Sequence, residues 1–276
     1  MSEDFVCGAL LSKPDVRDYT AYTELSDFPK EFELDMPKIK NQLNVGSCVA
    51  HALSTVVEYF NEKETGAYEE MSTGYIYGNR RLTTHKGRGM YVKDAINTVV
   101  QYGDVTNDNF PVNVEVPYAI EKFESSVDEI EHLGYFFKFA EYFKLKDELA
   151  IKTSLMENGP VVFAMHWYDD IKIEDGVMHT EGVKTDKTGA HCMVIYGWNE
   201  TGWKVQNSWG SLWADKGNVI MPYDVYFYEA WGIKDATMDG NLLIKKPFKS
   251  NIGKKVAKLL NFIISLFYNW SHKSKE

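Results

Sequence analysis

Three short segments of the chain hold side chains able to do covalent chemistry together. The first, Lys40-Asn41-Gln42-Leu43-Asn44-Val45-Gly46-Ser47-Cys48-Val49-Ala50, puts a thiol at the start of a helical apolar repeat, Val49, Ala52, Leu53, Val56 and Phe60. A helix N-terminus presents unpaired N–H groups and a partial positive charge. These favour a thiolate and offer donors to an oxyanion. The second segment, Gly189-Ala190-His191-Cys192-Met193-Val194-Ile195-Tyr196-Gly197-Trp198, places a histidine at the head of a β-rich run, 143 residues after Cys48. The third, Trp203-Lys204-Val205-Gln206-Asn207-Ser208-Trp209-Gly210-Ser211-Leu212-Trp213, brings Asn207 sixteen residues after His191. A lone cysteine at a helix start is more often a small packing residue. A cysteine nucleophile needs a base and a third group to orient that base, and both come from distant sequence. The second and third segments therefore turn the reading towards nucleophilic catalysis.

The elements that must position these residues fit the composition. The chain has 276 residues, 30 basic against 40 acidic, for a formal net charge of −10. That length suits one domain or two lobes sharing a core. With 44% hydrophobic and 25% charged residues, wholesale disorder is excluded. The acidic balance argues against a nucleic-acid partner, which needs a basic footprint. Cys7, Cys48 and Cys192 are the three cysteines; an odd, sparse set forms no disulfide framework, and no Cys-x-x-Cys pair offers a metal cluster. Met1-Ser2-Glu3-Asp4 lacks the apolar core of a signal peptide, and no run of about 18 apolar residues could span a bilayer. The expectation is a soluble protein of a reducing cytoplasm with no metal and no cofactor.

Residues 1–38 read as an extended lead-in. Helical patterns begin at Ser47-Cys48 and end before Gly66, then cover 71–82 and the stretch from Gly89 to Gly103, where Val92, Ala95, Ile96 and Val99 share a face. Glu121–Leu133 reads as a charged connector and Lys146–Asn158 as a further helix. Val161–Trp167, Cys192–Trp198, Trp203–Asn207 and Asn218–Tyr223 read as strands. Helices first and strands later predict an α+β protein with a helical lobe and a sheet lobe.

Taken with their order and spacing, the three segments resemble the papain-like cysteine peptidases, over about residues 28–235. That family carries a Gln-x-x-x-Gly-Ser-Cys segment, a His before an apolar strand, and an Asn-Ser-Trp-Gly segment in this order. The resemblance implies a papain-like fold with its cleft between a helical lobe (about 40–125) and an antiparallel β lobe (about 126–240). It implies Cys48 as nucleophile, His191 as base and later acid, and Asn207 orienting the imidazole. Gln42 would donate to the oxyanion hole, Trp209 cover the Asn207–His191 bond and Trp213 line the leaving-group side. Gly89 is the candidate for an edge that pairs with substrate backbone, although an ordinary turn glycine reads equally well there. Ala164 and Cys192 map near the wall of an apolar specificity pocket; Cys192 reads as well as an inert core thiol. The implied partner is a protein or peptide substrate. A papain-fold scaffold without hydrolysis, and acyl transfer to an amine by the same residues, are the alternatives.

Val45 stands where secreted members of the family have a cysteine, and Val49 where an aromatic commonly follows the nucleophile. Only about 27 residues precede the family-like start near Phe28, so no long inhibitory propeptide is expected. Lys13-Pro14-Asp15-Val16-Arg17-Asp18-Tyr19 resembles the short N-termini of bacterial and phage members, and residues 1–27 are expected against the body or partly over the cleft. Residues 241–276 form a basic tail with eight Lys and one acid, so the remaining 240 residues carry −17. Within it, 252–270 reads as an amphipathic helix with aromatic residues. Peripheral contact with an anionic membrane surface, docking on the acidic body, docking on a partner protein and self-association all remain open for it.

Overall fold

The computed structural model describes residues 6–15, 18, 20, 27–181 and 187–236. The basic tail, with its expected helix over 252–270, lies outside the described residues. In chain order the elements are β1 (Ala9–Leu10), β2 (Phe32–Glu33), α1 (Cys48–Thr65), α2 (Thr73–Gly78), β3 (Met90–Tyr91), α3 (Val92–Tyr102) and α4 (Tyr118–Ile130). A 3₁₀ turn over Glu131–Phe136 leads into β4 (Phe139–Leu145), α5 (Glu148–Glu157), β5 (Val161–Tyr168), β6 (Lys172–Glu174) and β7 (Val177–His179). The chain then forms β8 (Lys187–Trp198), β9 (Gly202–Gln206), β10 (Asn218–Pro222) and β11 (Glu229–Asp235). The fold is α+β, as expected from the order of the patterns.

Two pieces depart from that expectation. The charged stretch read as a connector is α4, because Ala119 and Phe123 bury one stripe while acids cover the rest. Phe123 packs on Tyr75 of α2 with ring centroids 5.2 Å apart, so two inward residues fix a helix whose average composition looks solvated. Strands β4 and β11, not anticipated, pair with one another antiparallel, and β11 also pairs with β5. The main path of the sheet runs β4-β11-β5-β8-β9-β10-β7-β6.

Alternation along β5 and β8 divides the core. Val162, Ala164, Cys192 and Val194 join the cluster that includes Cys48, Val49, Leu53 and Val56 of α1. Val161, Phe163, Met193 and Ile195 join the other cluster, with Ile151 and Leu155 of α5 and Trp198, Trp203 and Trp209. This is the period-two geometry of a sheet covered on both faces. α1 is consequently buried from Cys48 to Asn61, polar positions included.

One of those polar positions fixes the turn ahead of Cys48. Glu58 accepts from Lys40 Nζ at 2.5 Å and from the Met71 amide at 2.8 Å. Lys40 is almost as deeply buried as Glu58. Removing one partner of a buried pair leaves an uncompensated charge and costs about 3–5 kcal/mol. Glu58→Ala should therefore lower stability by about 3 kcal/mol in urea unfolding; a loss below about 1 kcal/mol would mean that this pair does not anchor the turn.

Candidate active site

Cys48 is the first residue of α1, and the turn before it is closed by Val45 N–H to Gln42 O at 3.1 Å and Ser47 N–H to Val45 O at 2.8 Å. β8 lies against this helix end and carries His191 and Cys192. Residues 40–42 pair with the segment after Asn207. Gln42 N–H donates to Ser208 O at 2.8 Å, Gly210 N–H to Lys40 O at 3.0 Å, and Ser208 Oγ to Gln42 Oε1 at 2.7 Å. Thus all three sequence segments meet at one place, where Cys48, His191 and Gln42 are fully buried and Asn207 is nearly so.

His191 Nε2 and Asn207 Oδ1 are 2.7 Å apart. The same oxygen accepts from the Ser208 amide at 2.7 Å, which fixes it as the acceptor end of the amide. Nε2 is then the protonated ring nitrogen. Nδ1, the second ring nitrogen, has no hydrogen-bond partner among the described residues. Trp209 stacks on the imidazole with centroids 4.3 Å apart and planes at 21°. Trp213 stands edge-on to Trp209 at 5.3 Å, and Trp167 stands edge-on to both Trp209 and His191. His51, one turn after Cys48, is buried with Nδ1 3.0 Å from Ser47 O. Burial pushes its pKa down to about 3, in keeping with a packing role.

Ala164 and Cys192 are cross-strand partners on β5 and β8, both inaccessible. Glu229 faces Ala164 from β11 and is a buried carboxylate that the sequence reading did not single out. No spacing signals it, because β11 joins the sheet only through tertiary pairing. Its Oε2 accepts from Trp231 Nε1 at 2.8 Å and its Oε1 from the Ser12 amide at 2.9 Å.

The contact with Ser12 belongs to a strap laid through the site by residues 6–12. Val6 O accepts from Gln42 Nε2 at 2.7 Å, and Gly8 O from the Met90 amide at 2.9 Å. Ala9 pairs with Ala190 on one side and Met90 on the other, so β1 bridges the helical and sheet sides. Gly89, at φ +82°, could carry no side chain here: its Cβ would lie 2.5 Å from Gly8 O. Gly89 therefore adjoins an edge that pairs with an extended backbone, and the backbone seated there is the chain's own.

Burial governs the electrostatics of the site. Burial pushes the Cys48 thiol up to about 11, partly offset by hydrogen bonding to the backbone of Cys192, Gly8 and Val49. Burial brings His191 down to about 4, against the Asn207 bond, which raises it. Both groups are neutral in this covered arrangement. Lifting the strap admits water to the imidazole and moves its pKa back up from about 4 towards the ordinary histidine value, so it binds a proton that the covered one refuses. Acid thus favours the uncovered state, progressively from about pH 6.5 down towards 4. Hydrogen exchange at the Met90 amide, corrected for intrinsic rate, should be faster at pH 5 than at pH 7 by about tenfold or more. Equal protection at the two values would refute this linkage.

The profile described as "Papain family cysteine protease" matches residues 26–238. The chain belongs to the papain family. Its relatives include an uncharacterised peptidase C1-like protein of Acanthamoeba polyphaga mimivirus, 25% identical over 197 residues, covering 66% of this chain and 63% of that protein. Vignain of Vigna mungo is 24% identical over 195 residues, covering 68% of this chain and 51% of that protein. The chain thus spans between half and two thirds of these curated relatives. Among solved structures, xylellain, a cysteine protease from Xylella fastidiosa, superposes with a TM-score of 0.74 at 21% identity, covering 83% of this chain and 96% of that one. The papain-like fold is shared with it. Among the described residues no helix is long and apolar enough to cross a membrane.

Proposed function

We propose that this papain-family chain is a cysteine-type peptidase acting on protein or peptide substrates. The observation that carries the reading is the 2.7 Å His191–Asn207 bond, which leaves the other imidazole nitrogen bare in the same buried site as a thiol at a helix N-terminus. In the first step His191 Nδ1 takes the Cys48 proton and the sulfur attacks the substrate carbonyl carbon. Gln42 Nε2 and the Cys48 amide donate to the oxygen that becomes negative. The tetrahedral species collapses to a thioester as the imidazolium gives its proton to the departing amine. Water, deprotonated by the same nitrogen, then splits the thioester and frees the acid. Asn207 keeps Nε2 protonated throughout, so Nδ1 carries both proton transfers. Ala164 and Cys192 form one wall of the subsite we assign to an apolar side chain one position before the scissile residue.

The strap occupies the groups this cycle needs. Gln42 Nε2 is engaged by Val6 O, and the Met90 amide by Gly8 O. The covered arrangement is therefore a resting state, and substrate must displace residues 6–12. A peptide-library cleavage profile of the wild type beside Cys48→Ala tests the reading and reports the subsite preference with it.

A further inference from the structure

Gln42 can stabilise an oxyanion only if its side-chain amide is held in place, and the holding groups are unusual. Gln42 Nε2 donates to Val45 O at 2.9 Å while Oε1 accepts from Ser208 Oγ at 2.7 Å, so the Val45–Gly46 peptide and Ser208 together set the direction of the amide. The other end of that same peptide, the Gly46 N–H, donates to Glu115 Oε1. A trans peptide carries its carbonyl and its N–H on opposite edges of one plane. Fixing the N–H therefore fixes the carbonyl. Glu115 comes from the loop ahead of α4, 69 residues from Gly46, and no periodicity or motif marks it.

Besides Gly46, three groups hold Glu115: Arg88, Tyr77 and the Val116 amide, which donates to Oε2 at 3.3 Å. Arg88 Nε donates to Oε1 at 2.8 Å, while Tyr77 Oη donates to Oε2 at 2.7 Å. Arg88 Nη2 continues to Asn44 O at 3.0 Å, binding the same turn again. Tyr77 Oη in turn accepts from the Gly89 amide at 3.3 Å. One carboxylate thus joins the turn before the nucleophile to the edge over which an extended backbone lies. Burial alone would raise its pKa, but hydrogen bonds from Gly46 and Tyr77 and the charge of Arg88 bring it below the ordinary carboxylate value, so these donors meet an anion near neutrality.

We propose that Glu115 is a positioning residue for the oxyanion hole, fixing the Val45–Gly46 peptide plane on which the Gln42 amide is aimed and, through Tyr77, the Gly89 edge. This rests on the peptidase reading above. A charged acceptor strengthens each hydrogen bond it receives, and chains of such bonds polarise one another. A misdirected oxyanion donor lowers the rate of the chemical step more than substrate binding.

The test compares Glu115→Ala with Glu115→Gln in the full chain, with two readouts. In Glu115→Ala the Gly46 and Gly89 amides should exchange about tenfold faster or more, while the amides of Cys192–Ile195 keep their rates. On a peptide substrate kcat should fall about tenfold or more with KM within about threefold, and Gln, which keeps one acceptor oxygen for Gly46, should restore part of the loss. Unchanged exchange at Gly46 overturns the proposal whether or not a peptide is cleaved. Faster exchange with kcat retained overturns it as well. A wild-type chain that cleaves nothing refutes the peptidase reading and, with it, the catalytic role of Glu115; exchange still reads the Glu115 contacts separately.

Discussion

Cys48→Ala should reduce peptide turnover to background, a loss on the order of 10⁶-fold for a nucleophile that works as one unit with its base. The size follows from the mechanism: without sulfur there is no thioester, and what remains is a cleft that binds peptide and offers an oxyanion site to a distant water. An epoxide-type inhibitor of thiol peptidases should label the wild type at Cys48 and leave Cys48→Ala unlabelled. Cys7→Ala and Cys192→Ala should keep their labelling. Cys192 is inaccessible and burial holds its thiol well above the usual range. Cys7 is raised to about 12, first by burial and then by the charge of Cys48, and neither thiol stands at a helix N-terminus as Cys48 does. Labelling that survives in Cys48→Ala, located by peptide mass mapping, would overturn the assignment.

Gly8→Leu should do the opposite and raise turnover. A Cβ at position 8 would lie 1.9 Å from Gly46 O, a backbone atom that cannot rotate aside, so the strap cannot seat over Cys48 as it does now. The hydrogen bonds lost include Val6 O to Gln42 and Gly8 O to Met90, each worth about 1 kcal/mol net. Together with the Ala9 pairing to both neighbours, this raises the uncovered population by one to two orders of magnitude, about 1.4 kcal/mol per decade. Turnover at neutral pH should rise about tenfold or more, and alkylation of Cys48 by iodoacetamide should rise with it. A cooperative unfolding transition close to the wild-type one would show that the body is intact, since residues 6–12 contribute only Ala9 to the buried core. Unchanged turnover together with unchanged alkylation would mean that the strap does not restrain the enzyme.

The two variants bear on different parts of the sequence reading. Cys48, His191, Asn207 and Gln42 were legible as a set through the resemblance of their three segments, in order and spacing, to the papain-like peptidases, and the fold brings the four together. The helix from Cys48 to Thr65 and the strands around His191 were legible from their periodicity. Strand β4 was not, because its burial alternates irregularly and it is held by β11. Helix α4 was hidden by its acids, with only Ala119 and Phe123 turned inward. The strap was anticipated only as a segment near the cleft; its seat on Gln42 and Met90 depends on backbone carbonyls, which carry no side-chain signature.

By itself, the sequence determined which side chains are at hand for the proposed chemistry: a thiol, an imidazole and two amides in a papain-like order, carried on an α+β chain. Tertiary structure alone decided the state in which that chemistry rests. Whether Cys48 and His191 are charged depends on burial, which the packing of distant segments brings about, residues 6–12 among them. The same holds for Glu115. Its influence on Gln42 passes through one peptide plane, and a peptide plane takes its orientation from whatever the fold places at either end of it.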